Sequence, residues 1–295
     1  MDDLDLPRAP PVQPAEPAFN LRRALGAATP LVFASPHSGR LYPAELMAAS
    51  VLSAKAIRRS EDALVDLLLE GADTLGVNML MARFARAYLD VNREPYELDP
   101  AMFEDELPPF ARGRTPKVAA GLGAIARVVA EGQEIYGRKL SFAEACERIE
   151  AVHKPYHAAL SALLREVRAD FGRVALVDWH SMPSAAGRST SRGRTADFVL
   201  GDRFGASCTA PLTALVEREL RAMGYEVARN APYAGGYTTE LYGDPLAAFH
   251  VLQVEINRAL YLDEATLAPS AGFDRVRLNL RRLTAVLAER WREVI

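Results

Sequence analysis

Short apolar runs, each closed by a chemically active side chain, constrain this chain more than any other feature. Leu31-Val32-Phe33-Ala34 leads into Ser35-Pro36-His37. Val174-Ala175-Leu176-Val177 leads into Asp178-Trp179-His180, and Val251-Leu252-Gln253-Val254 ends on Glu255. Such runs read as strands buried in a sheet. Val77 to Met81 and Ala87 to Val91 read the same way, the second leading into Asn92-Arg93.

Helical periodicity fills the spaces between these strands. Ala56, Ile57, Ala63, Leu64, Leu67, Leu68 and Leu75 recur at steps of three and four, with Ser53 as a cap. Phe142 to Ala169 is helical in pattern, and Pro155 predicts a break into two helices. Pro211 to Met223 is helical and stops at Gly224, and Asp274 to Trp291 is a closing amphipathic helix. Strands alternating with helices predict a three-layer α/β/α sandwich around a mixed, largely parallel sheet.

Residues 1–30 carry Pro7, Pro10, Pro11, Pro14 and Pro17 and are expected to form an extended arm. Residues 31–295 show no repeat and no composition break, so they read as a single domain. The stretch 94–117, rich in Pro, Asp, Glu and Arg, reads as a long surface excursion. The 35 Lys+Arg against 38 Asp+Glu argue against a general nucleic-acid binder. Two cysteines, Cys146 and Cys208, cannot supply a disulfide framework or a four-cysteine zinc site. No stretch reaches the roughly 18 apolar residues of a membrane span. Met1-Asp2-Asp3 begins no basic-then-apolar leader. The expected setting is a soluble, cytoplasmic protein.

In open α/β sheets, ligands bind beyond the carboxyl ends of the strands. His37, Asn92-Arg93, His180 and Glu255 all follow predicted strands, so one crevice can collect them. Each alone has a plain structural reading. His37 and His180 can be loop histidines bonded to backbone, Arg93 can pair with Asp90, and Glu255 can pair with Arg258. Two of five histidines at strand ends favour a catalytic metal, which needs three protein ligands and an open position. Asp178 stands two residues before His180 as an orienting partner. Arg40 fills the third place after His37, so the compact HxxE arrangement is absent. The nearest acids are Glu61 and Asp62, which also read as a solvated pair near a helix start. A glutamate such as Glu255 beside activated water suits a general base.

Gly235-Gly236-Tyr237-Thr238 is either a donor loop over the substrate or a turn. His153 and His157, four apart, are expected to pack rather than chelate. Arg188, Arg192 and Arg194 mark a solvated or gating loop. No GxSxG elbow, GxGxxG or P-loop is present.

Six segments in order resemble the N-formylglutamate amidohydrolases. They are Ser35-Pro36-His37-Ser38-Gly39-Arg40, Glu61-Asp62 with Val65-Asp66, Asp90-Val91-Asn92-Arg93, Asp178-Trp179-His180-Ser181-Met182-Pro183, Gly235-Gly236-Tyr237-Thr238 and Val254-Glu255-Ile256-Asn257. The resemblance runs from about Leu31 to the C-terminal helix. It implies a phosphorylase/hydrolase-like fold related to zinc carboxypeptidases and cell-wall amidases. It implies a metal, Zn2+ or another divalent transition metal, on His37, His180 and Asp62, the last preferred to Glu61. It also implies Glu255 as base and Arg93 as the anchor of a substrate carboxylate. Asn92, Arg93 and Tyr237 are expected around the substrate, with Arg93 or Tyr237 also stabilising the developing oxyanion. Some members carry an arginine shortly after Gly-Gly-Tyr, where this chain has Glu240. That reversal is expected to disfavour a dicarboxylate and to point to another N-acyl amino acid.

The expected activity is hydrolysis of the amide C–N bond of an N-acyl, in the first place N-formyl, amino acid. The expected partner is that small molecule, with no nucleic acid or membrane, in a monomer or small homo-oligomer. The rival expectations are a peptidoglycan-type or peptide amidase on the same fold and an anion-binding module without turnover.

Overall fold

The computed structural model of the chain describes residues 16–187 and 195–295. Arg188, Arg192, Arg194 and most of the proline arm lie outside the described residues. Seven strands form one sheet in the order β1-β3-β2-β4-β7-β5-β6. They are β1 (Phe19–Arg22), β2 (Leu31–Ser35), β3 (Asn78–Ala82), β4 (Val174–Met182), β5 (Phe198–Gly201), β6 (Val227–Arg229) and β7 (Phe249–Asn257). The central β3-β2-β4-β7 neighbours are parallel, while β1 and β5 pair antiparallel with β3 and β7. The sheet is mixed and largely parallel, as the alternation of strands and helices predicts.

Every residue of β2, β3 and β4 is buried, because helices cover both faces. The period of two sorts their side chains. Leu31, Phe33, Val177 and Trp179 join a core with α3 (Val65–Leu68), α7 (Ala210–Ala222) and α9 (Phe273–Val294). Val32, Ala34, Val174, Leu176 and Val251 face the other core, packed by α5 (Phe142–Arg148) and α6 (Lys154–Phe171). Each such aliphatic side chain contributes roughly 1.5–3 kcal/mol by leaving water. Among the described residues no helix is long and apolar enough to cross a membrane.

Several elements depart from expectation. The sheet begins ahead of Leu31, since β1 lies within the stretch read as an arm and pairs Phe19 with Ala82. The predicted long helix from Ser53 is broken into α2 (Ala54–Ile57), a 3-10 turn at Arg58–Ser60, α3 and another 3-10 turn at Asp73–Leu75. Glu61 is extended and Leu64 takes a left-handed φ of 65°, which interrupts any continuous ladder. Residues 87–91 form turns rather than a strand. Ala87, Leu89 and Val91 are buried by packing, and the Asp90 N–H donates to Ala124 O instead of to a neighbouring strand. Pro155 does not split the Phe142 helix. A π-helical segment, Ile149–His153, joins α5 to α6, and Pro155 falls in the first turn of α6, where its missing N–H is tolerated.

Candidate metal centre

The site lies at the carboxyl end of the parallel strands, on the α6 side. Beyond Val174 and Leu176, alternation carries Asp178 and His180 onto that face, still inside β4. Beyond Val251 it carries Gln253 and Glu255 onto the same face of β7, with Glu255 in register with His180. His37 follows β2 by two residues, and its carbonyl accepts from the Asp62 N–H at 3.0 Å. That bond fixes Asp62 beside the strand end despite its distance in sequence. His180 and Glu255 are thus strand residues, not residues beyond a strand, because β4 and β7 run nine residues each.

Among the described residues, His37, Asp62 and His180 form the one group of three side chains able to share a metal. His37 Nδ1 lies 3.2 Å from Asp62 Oδ2, and His180 Nδ1 lies 3.1 Å from both of them. The outer nitrogens are already committed. His37 Nε2 sits 2.6 Å from Asp90 Oδ1, and His180 Nε2 sits 2.9 Å from Asp178 Oδ2. Against burial, Asp178 and Asp62 hold the His180 pKa well above the ordinary value, so a proton on its Nδ1 can bridge to Asp62. Carboxylates only accept, so both Nε2 atoms donate, and with both rings neutral the Nδ1 lone pairs would turn inward. Three acceptor atoms then meet at one point, which is unfavourable without a cation between them. A tetrahedral zinc with bonds of 2.0–2.1 Å has ligand–ligand edges of about 3.3 Å. The three separations match that figure, and two nitrogens plus one carboxylate oxygen suit zinc or another divalent transition metal.

Glu61 does not join the group. Its carboxylate is buried between Arg58, at 2.8 and 3.1 Å, and the Tyr42 hydroxyl, at 2.8 Å. The remaining Asp62 oxygen, Oδ1, accepts from Ser181 Oγ at 3.1 Å and from Arg258 at 3.2 Å. Burial opposes the charge on Asp62, but the two imidazoles hold its pKa well below the ordinary value. Burial likewise opposes the charge on Asp90, and Arg86, His37 and Arg93 outweigh it.

Arg258 is spent on Asp62, Ser181 and the Glu61 carbonyl, so the alternative pair with Glu255 is not made. Glu255 instead accepts from Gln253 Nε2 at 2.9 Å. Its burial, opposed by His180, raises its pKa above the ordinary value. Nor does Arg93 hydrogen-bond to Asp90. That carboxylate takes Arg86 at 2.6 Å and the Asn92 N–H at 2.8 Å. Arg93 donates to Leu122 O and Asn92 O, both at 2.8 Å. Asn92 Oδ1 accepts from the Thr238 N–H and hydroxyl at 2.8 and 2.9 Å, and its amide nitrogen lies 3.2 Å from His180 Nε2. A Cβ on Gly236 would stand 2.6 Å from that amide, so only glycine permits the approach. Tyr237 opens α8 (Tyr237–Tyr242) and lies against His157, 5.4 Å between ring centroids, rather than against His37, Asp62 or His180. Glu240 is exposed and pairs with Arg203 at 3.2 Å, which offsets its charge.

Asp90, Arg86, Ser181, Gln253 and Lys117 were not singled out as site groups from the sequence. Asp90 carries a signal in hindsight, a carboxylate among Leu89 and Val91. The Lys117 ammonium, on α4 (Pro116–Ala119), has its pKa lowered by burial and then by Arg93 and Arg86, so three cations stand near one another. Nothing local in the sequence brings Arg86 and Lys117 together.

A profile of the N-formylglutamate amidohydrolase family matches residues 29–262. The N-formylglutamate deformylase of Pseudomonas aeruginosa is 31% identical over 239 residues, 80% of this chain and 83% of that one. The same-named protein of Pseudomonas putida is 28% identical over 238 residues, 80% and 82% of the two chains. The crystal structure of N-formylglutamate amidohydrolase from Ralstonia eutropha superposes with a TM-score of 0.88 at 40% identity, over 94% of this chain and 99% of that one. A structure from Agrobacterium tumefaciens shares the fold, with a TM-score of 0.63 at 18% identity, over 94% of this chain and 97% of that one.

Proposed function

The chain belongs to the N-formylglutamate amidohydrolase family, and from that premise we propose that it hydrolyses the amide C–N bond of an N-formyl amino acid, with N-formylglutamate as the leading substrate. The observation that carries the reading is the meeting of His37 Nδ1, Asp62 Oδ2 and His180 Nδ1 within 3.1–3.2 Å. These three residues would hold a divalent metal, zinc by donor set. When bound, that metal supplies Lewis acidity and lowers the pKa of water.

Asp90 and Asp178 would keep both imidazoles in the Nε2–H tautomer with Nδ1 facing the shared site, and Arg258 with Ser181 fixes the carboxylate of Asp62. Glu255 shares the sheet face of His180, and its raised pKa suits a group that takes the proton of the attacking water and returns it to the departing amine. Arg93 has two of its nitrogens tied to carbonyls, which orients its fork for a substrate carboxylate. Lys117, whose pKa burial and then Arg93 and Arg86 push down, adds positive charge near Arg93, which favours an anionic amino acid. The Glu240–Arg203 pair removes the charge argument against a dicarboxylate.

Purified protein should bind one equivalent of zinc and release formate and glutamate from N-formylglutamate. Protein that holds no metal and, after zinc addition, hydrolyses neither N-formyl nor N-acetyl amino acids would sink the reading.

A further inference from the structure

Besides His250, two buried histidines stand outside the candidate metal cluster. His153 ends the π-helical segment Ile149–His153, and His157 lies one turn further along α6. Four residues apart, they share a helix face, with ring centroids 4.3 Å apart. Their Nε2 atoms do not converge on a common ligand. His153 Nε2 lies 2.9 Å from Arg93 O, and His157 Nε2 lies 2.7 Å from Val91 O. A carbonyl only accepts, so both Nε2 atoms carry the proton. The Nδ1 of His157 is then an acceptor, and the Tyr242 hydroxyl stands 2.8 Å from it. Burial lowers the pKa of both rings, that of His157 to about 3, so each stays neutral.

The two carbonyls flank Asn92. The oxygen of its amide accepts from Thr238, and the nitrogen stands 3.2 Å from His180 Nε2. Arg93 hangs from the same peptide. Tyr242 and Thr238 both belong to α8, so α6 grips the 91–93 segment and α8 together. A buried imidazole costs free energy unless its polar atoms are matched. Here matching is obtained by holding backbone that bears site groups, which packing alone does not require.

We infer that His153 and His157 are positioning residues, clamping Val91–Arg93 and α8 so that Asn92 and Arg93 keep their distance from His180. The link to substrate binding rests on the proposed role of Arg93.

The experiment compares His157→Phe, which keeps a ring but loses both hydrogen bonds, with His157→Gln, which keeps an amide donor for Val91 O. Zinc-loaded enzyme is assayed on N-formylglutamate, and amide hydrogen exchange is followed at Asp90 and Asn92. His157→Phe is expected to raise KM about tenfold with metal content kept and kcat changed less, and His157→Gln to recover most of the loss. Exchange at Asp90 and Asn92 should quicken about tenfold while β4 and β7 are unchanged. Should His157→Phe not fold, Tyr242→Phe, which removes only the hydroxyl, carries the same readouts in the same direction. An unchanged KM, or protection lost evenly across the sheet, overturns the clamp. Wild-type protein that turns over no N-formyl amino acid overturns the proposed function alone, because exchange at Asp90 and Asn92 still decides the clamp.

Discussion

His37 Nε2 and Asp90 Oδ1 stand 2.6 Å apart in a buried pair, and the opposite oxygen of Asp90 stands 2.6 Å from Arg86. The carboxylate therefore sets which nitrogen of His37 faces Asp62 and His180. Asp90→Ala should free the ring to change tautomer and turn. Metal affinity is expected to fall about 10–100-fold, read by competition with a chromophoric chelator. Unchanged affinity would show that Asp90 does not orient the ligand.

Asp62 and Glu61 are neighbours with different partners, the first meeting His37 and His180 and the second Arg58 and Tyr42. Asp62→Ala should abolish stoichiometric metal binding. Glu61→Gln should keep the metal, because its carboxylate faces Arg58 and Tyr42. Its cost is stability, about 1–2 kcal/mol once the partial exposure of Arg58 is allowed for. Metal analysis with urea unfolding of both variants separates the two roles, and loss of metal from Glu61→Gln would reverse the assignment.

Glu255→Gln keeps the shape and the contact with Gln253 but cannot take a proton. Metal content should be unchanged and kcat should fall about 10²–10⁴-fold. Steady-state rates on N-formylglutamate, with zinc measured on the same sample, test this. Full activity would remove Glu255 from the chemistry.

His157 ties stability to pH. Its native pKa is lowered to about 3 by burial, against about 6.5 in an unfolded chain. The unfolded state therefore binds the proton first as pH falls, and stability drops between those values by up to about 1.4 kcal/mol per pH unit. Above about pH 6.5 the effect vanishes. Urea unfolding from pH 7 to 4 should give a shallower decline for His157→Phe than for wild type. Equal slopes would contradict a neutral buried His157.

The four parallel strands are legible because Leu31–Ala34 and Val174–Val177 are apolar throughout, and Val77–Met81 and Val251–Val254 are broken only by Asn78 and Gln253, as a sheet covered on both faces demands. Residues 87–91 carry the same pattern and form turns, since burial alone asks for apolar side chains and is silent on where the N–H groups go. Ser53–Leu75 shows helical spacing, yet Asp62 must reach the His37 carbonyl, and that long-range bond interrupts the ladder. The π turn before Pro155 is a similar case, in which backbone adjusts locally where residue type predicts a break.

Residue type and place along the chain nominate His37, His180 and Glu255 and leave Glu61 and Asp62 as the nearest acids, while the choice of Asp62 rests on the family resemblance. Alternation along a strand already dictates that Asp178 and His180, or Gln253 and Glu255, share a face. What linear order could not decide is partnership across the sheet. Asp90 serves His37, Arg258 serves Asp62, and His153 and His157 serve the Asn92 peptide, each chosen from many polar residues of the same kinds. Hydrogen bonds are short-ranged and directional, so their pairing exists only once the strands and α6 are packed.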